Sequence, residues 1–180
     1  KIEEYVVGLQ SRNSFCYWLE RTLHSLGNIS GQGSFKFGIW YSPSKKAYCF
    51  QTKFGNTYEE AYNNVKSAIL DLLIDGEKKD YESIAKNPIN SAIKGKILAT
   101  YYPDKYMNIY ASKHLDYYME ALGISSKELL KSDVVYKREA LVKFKNNDED
   151  MKGWSNYVFS AFLWSHYPKC PRRNGISLRN

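Results

Sequence analysis

Apolar residues recur along this chain at two different spacings, and the spacing separates helices from strands. Ser14 is followed by Phe15, Trp18, Leu19, Thr22, Leu23 and Leu26, the i, i+3, i+4 stripe of an amphipathic helix closed by Gly27. Asn28 to Gly33 then reads as a turn. Phe35, Phe37, Ile39 and Tyr41 alternate with Lys36, Gly38 and Trp40, which predicts a strand with the first set inward. A second strand is predicted over about 47–53. The intervening Ser42-Pro43-Ser44-Lys45-Lys46 makes the pair a hairpin with a basic tip.

Thr57 caps a long helix whose apolar positions run from Tyr58 to Leu73, ending at Asp75-Gly76. A short helix near 81–85 precedes Pro88. Lys96 to Tyr102 reads as a third strand, Pro103-Asp104-Lys105 as a turn, and Tyr106 to Tyr110 as a fourth strand. Ser112 then opens a helix stopped by Gly123. From Ser125 onward the pattern is helical, with breaks near Ser132 and 147–150. The expected architecture is α+β: a small curved mixed or antiparallel sheet packed with helices over 1–124, PUA-like in one form. A helical subdomain over 125–168 and a basic linker over 169–180 complete it.

The composition, 43% hydrophobic and 25% charged, is that of a folded globular chain. A net charge of +7 favours a polyanionic partner, and sixteen Tyr with four Trp suit both cores and recognition surfaces. Cys16, Cys49 and Cys170 are odd in number and widely spaced, which argues against a disulfide framework and fits a reducing cytoplasm. The first residue is Lys1, no stretch is apolar enough to span a membrane, and the last residues read as a linker. A segment of a longer cytoplasmic protein, without membrane contact, is the expectation.

Enzymatic chemistry finds little support. His24, His114 and His166 lie on separate predicted helices without metal-ligand spacing, so neither a metal nor another cofactor is expected. The glycines at 27, 31 and 33 follow a helix, whereas phosphate-binding glycine runs follow a strand. Pro103-Asp104 lacks the acidic-x-Lys partner of a nuclease site, and no Ser or Cys has a nucleophile's context.

Three blocks carry a family resemblance: Phe15-Cys16-Tyr17-Trp18-Leu19-Glu20, Leu26-Gly27-Asn28-Ile29-Ser30-Gly31, and Phe35-Lys36-Phe37-Gly38-Ile39-Trp40. Gly55 to Ala61, Lys96 to Lys105 and Asn108-Ile109-Tyr110 extend it over roughly 12–125. Together they resemble the amino-terminal regions of McrB-type modification-dependent restriction GTPases. The resemblance implies a non-catalytic phage-defence module that reads double-stranded DNA, often through a modified base turned out of the helix. It also implies a downstream motor or nuclease domain.

The residues supply groups for that role. Base reading calls for aromatic faces, small polar groups at the base edge and cations for phosphates. The expected base pocket comprises Trp40, Tyr41, Tyr48 and Tyr102 with Asn28, Ser30 and Ser34 from the turn. Lys36, Lys45, Lys46, Lys53 and Lys105 are the expected DNA-backbone contacts. Trp40 shares the polar face of its strand with Lys36 and Gly38, and is either a stacking platform or covered by a C-terminal helix. Trp154, Phe159, Phe162 and Trp164 are expected to fill the core of the last helix. A protein-interaction domain and a PUA-like RNA-binding domain are the rival readings.

Overall fold

The computed structural model describes residues 1–9 and 12–168; Cys170 and the expected linker over 169–180 lie outside the described residues. Helices dominate, joined by one antiparallel hairpin, so the α+β class holds while the sheet is smaller than expected. β1 (Ile39–Ser42) pairs with β2 (Ala47–Phe50), Tyr41 opposite Tyr48 and Trp40 opposite Cys49. With two strands and two edges the sheet does not close into a barrel. The amino-terminal segment runs beside β1, where the Tyr41 N–H donates to the Val7 carbonyl at 2.9 Å.

Two expected strands are absent. The 96–102 stretch belongs to α4 (Ser91–Tyr101), started by Asn90, whose side chain accepts from the Ala92 N–H at 3.0 Å. Residues 93–98 are all buried, so no polar face marks the helical period, and a run of buried apolar residues reads equally as a strand. The 106–110 stretch is an extended connection whose polar groups pair with side chains instead of a ladder. Arg138 Nε donates to the Ile109 carbonyl at 3.0 Å, and the Tyr110 hydroxyl donates to the Leu26 carbonyl at 2.6 Å.

The first helix also differs. α1 (Phe15–Tyr17) passes into a wide π turn over Trp18–Thr22 and a 3-10 turn over His24–Leu26. The extra residue per turn rotates the apolar stripe. Leu19 stays buried while Trp18 is left 50% exposed. Similarly, Ser34–Phe37 is a 3-10 turn, not the start of β1, which turns Phe35 out to 51% exposure and Lys36 inward.

The remaining helices follow the pattern closely. α2 (Tyr58–Lys78) is capped by Thr57, whose hydroxyl accepts from the Glu60 N–H at 3.2 Å, and runs past Gly76. α3 (Tyr81–Lys86) and α5 (Ser112–Ala121) follow, and Gly123 leaves α5 at φ +70°. α6 (Lys127–Lys131), α7 (Val134–Asn147) and α8 (Asn156–His166) complete the chain. One apolar core gathers the amino-terminal segment, the hairpin and α2–α4, with Val135 of α7. A second gathers α5, α7 and α8 with Met107 and Ile109. Among the described residues no helix is long and apolar enough to cross a membrane.

Candidate functional site

A cleft of about 850 Å³ opens along the seam between the two cores. One wall is the turn from His24 to Gly31, the floor is the Asn108–Ala111 connection, and the opposite wall is α8 with His114 from α5. α8 contributes Tyr157, Ser160, Ala161, Trp164 and Ser165, spaced i, i+3, i+4, i+7, i+8 along one face. Phe159 and Leu163 on its opposite side are fully buried and anchor the helix in the second core.

Gly27 fixes the junction of turn and floor. Its φ of +103° suits glycine, and a Cβ there would lie 2.6 Å from the Tyr110 ring and 2.7 Å from the Asn108 carbonyl oxygen. The turn can therefore settle directly on the floor. Asn28 then folds into an Asx turn, its Oδ1 accepting from the Ser30 N–H at 2.7 Å and the Ser30 hydroxyl at 2.5 Å.

The cleft presents aromatic surface and hydrogen-bonding groups together. Trp164 is 45% and Tyr157 53% exposed, and the His114 and Trp164 rings meet edge to face at a centroid separation of 4.7 Å. Burial, with Lys113 beside it, lowers the His114 pKa below the usual imidazole range. At neutral pH the ring is thus neutral, with one nitrogen to donate and one to accept. Asn108 Oδ1 is buried with no hydrogen-bond partner among the described residues. An unmet acceptor of this kind costs about 1–3 kcal/mol, and this oxygen is sealed from solvent.

The residues expected to form a base pocket do not converge. Ile39, Tyr41, Tyr48 and Phe50 share one face of the hairpin and Trp40 with Cys49 the other, so Trp40 cannot close a pocket with Tyr41 and Tyr48. Tyr41 and Tyr48 meet edge to face at 5.5 Å, and Tyr48 stacks on Tyr58 at 5.1 Å, at the start of α2. Tyr102 instead donates to the Leu73 carbonyl at 2.9 Å. Tyr58 and Leu73 are 15 residues apart on one helix, roughly 22 Å along its axis, which separates Tyr102 from the hairpin tyrosines. Asn28 lines the cleft; Ser30 braces it, and Ser34 is an exposed residue of the 3-10 turn.

The expected backbone contacts divide likewise. Lys36 is 2% exposed, paired with Glu20 and donating to the Ile29 and Gln32 carbonyls at 2.8 and 2.9 Å, so it is a structural clamp. Lys53 and Lys105 donate to the carbonyls of Pro88 and Glu77 at 2.7 and 2.5 Å. Lys45 and Lys46 stand exposed at the hairpin tip, Lys46 in the left-handed region at φ +51°.

Sequence reasoning missed Trp164, His114, Tyr157 and Asn108. Trp164 was expected in the core with Phe159; the helical period itself separates them, because a five-residue step places them on different faces of α8. Among the described residues no group of three or more His, Cys, Asp or Glu could hold a metal ion. Comparison with protein-family models, with characterised proteins and with solved structures finds no match to this chain.

Proposed function

We propose that the chain is a cytoplasmic DNA-binding module of a modification-dependent restriction system, with its base site in the cleft rather than at the hairpin. The observation that carries the reading is the exposed Trp164 ring in one cleft with the side chains of His114, Asn28 and Asn108. Its volume falls within the range of sites that hold small molecules. An unpaired base needs a π face to stack on and amide groups to read its edge, and Trp164, His114, Asn28 and Asn108 supply them. Lys45 and Lys46 supply phosphate contacts that are independent of sequence. The chain carries no chemistry of its own in this reading, and a motor or nuclease partner acts on the DNA.

The test is binding to a panel of short duplexes containing 5-methylcytosine, 5-hydroxymethylcytosine or N6-methyladenine, beside the unmodified duplex. Trp164→Ala is expected to lose about ten- to hundredfold in affinity for the preferred duplex while keeping weak, salt-sensitive binding. Trp40→Ala, at a residue outside the cleft lining, is expected to keep the preference. A folded Trp164→Ala protein that still discriminates, or a parent chain that binds none of the duplexes, overturns the assignment.

A protein-interaction domain is the second reading, supported by Tyr157, Val158 and Trp164 standing 53, 47 and 45% exposed on the same helix. It predicts loss of a partner complex on Trp164→Ala, with no effect of salt or base modification. Preference for single-stranded RNA over every duplex would instead favour an RNA-binding module.

A further inference from the structure

A buried ammonium supports the 23–27 turn from below. Lys96, on α4, is 0% exposed; its Nζ donates to the Leu23 carbonyl and, at 2.8 Å, to the Gly27 carbonyl. The Tyr110 ring lies 5.8 Å from the same Nζ, and the Tyr110 hydroxyl holds the Leu26 carbonyl at 2.6 Å. Two side chains therefore fix the carbonyls that bracket His24 and Ser25, both of which line the cleft.

Among the described residues no compensating charge is paired with this ammonium. Tyr110 faces it from the 106–110 connection, and the Arg138 guanidinium of α7 lies 5.9 Å from that same ring. His24 belongs to the turn itself. Among the described residues no carboxylate forms an ion pair with Lys96. Burial alone lowers its pKa to about 8.

We infer that Lys96 is a positioning residue for the cleft: its ammonium holds the 23–27 turn against the floor, and loss of its proton releases that wall. An ammonium offers three N–H donors, and charge-assisted bonds to carbonyls are roughly twice as strong as neutral ones. The neutral amine keeps two donors and directs a lone pair at a carbonyl or at the Tyr110 π face. The clamp weakens although the side chain stays in place. If the cleft holds a base, as proposed above, affinity falls with the clamp.

The experiment follows the carbonyl ¹³C shifts of Leu23 and Gly27 in the full chain from about pH 6.5 to 9.5, beside affinity for the preferred modified duplex. Both shifts are expected to titrate together near pH 8 in the parent, and to be flat in Lys96→Arg, which stays charged throughout. His24→Asn is expected to keep the titration, which separates the ammonium from the imidazole. Affinity is expected to fall about three- to tenfold across the range in the parent and to stay level in Lys96→Arg. Flat shifts in the parent, or a titration that survives in Lys96→Arg, overturn the inference. A titrating turn in a protein that binds no duplex at any pH supports the positioning role and defeats the nucleic-acid reading. Lys96→Met, where it folds, is expected to lose the titration as well.

Discussion

Lys36, Lys94, Lys96, Lys137, Arg138 and Lys145 are each no more than 4% exposed, an uncommon fate for basic side chains. Lys36 and Lys137 find carboxylates, Glu20 and, at 2.6 Å, Asp116. The other four direct their donors at backbone carbonyls. Lys94 alone takes those of Ile84, Ala85 and Asn87, closing the end of α3. Carbonyls at helix ends and in connections are satisfied here by buried cations. Their burial has a pH signature. For Lys96, with a folded pKa of about 8 against roughly 10.4 unfolded, the unfolded chain holds a proton that the fold lacks between those values. Global stability contributed by Lys96 therefore rises with pH across that window, by at most about 3 kcal/mol, even as the turn above it loosens. Denaturation at pH 8 and 9.5 is expected to show a larger rise for the parent than for Lys96→Met.

Gly27 sets the other requirement at this scale. Gly27→Ala forces a Cβ into the Tyr110 ring and the Asn108 carbonyl at a φ that disfavours L residues. A loss of about 1–3 kcal/mol in thermal or chemical denaturation is expected, with loss of cleft binding in the fraction that folds. A melting temperature equal to the parent's would show that the turn does not rest on the floor as described.

At the scale of elements, legibility tracked the presence of a polar face. α2 has its side-chain cap at Thr57, whereas Ser112, expected to cap α5, is its first helical residue after an uncapped Ala111; both helices could still be placed from Thr57, Gly123 and the apolar spacing. α4 could not, because Ile93 to Leu98, two lysines included, are enclosed on every side and leave no polar face to mark the helical period. The short 3-10 turn at Ser34–Phe37 misled for a different reason: four residues of alternation fit a strand, and nothing local reveals that Lys36 is drawn inward by Glu20, sixteen residues away. The candidate site was legible in Asn28 and the glycine turn but not in Asn108 or Trp164, since their convergence depends on α8 crossing back over the 108–111 connection. α4 offers a direct check. A Cβ at Gly95 would sit 2.4 Å from the Arg138 guanidinium, so Gly95→Ala is expected to cost about 1–3 kcal/mol despite alanine's better helix propensity. A stabilised variant would mean that Arg138 does not pack across α4.

For the whole molecule, the cleft matters because its walls belong to different cores: the 24–31 turn rides on the first, Trp164 and His114 on the second. Arg138 crosses that seam, reaching from α7 to the Ser91 carbonyl at 3.3 Å and the Ile109 carbonyl. Charge acts at the same scale. With six of the 26 basic side chains internal, fewer cations can touch a polyanion than the sequence count suggests, and the hairpin tip gains weight accordingly. Lys45→Glu and Lys46→Glu are expected to weaken binding to all duplexes alike and to reduce the slope of log affinity against log salt by roughly one for each phosphate no longer neutralised. An unchanged slope in both variants would place the phosphate-binding cations elsewhere.

The five internal lysines divide the chain's amines by reach as well as by role. An acylating or reductively methylating reagent meets Lys45 and Lys46 at once, whereas Lys36, Lys94, Lys96, Lys137 and Lys145 are shielded until the chain opens. Lys96, whose lowered pKa leaves more of it as free amine than an ordinary lysine near neutral pH, is still protected by its position. Peptide mapping after timed labelling would therefore record, amine by amine, the order in which the two cores come apart.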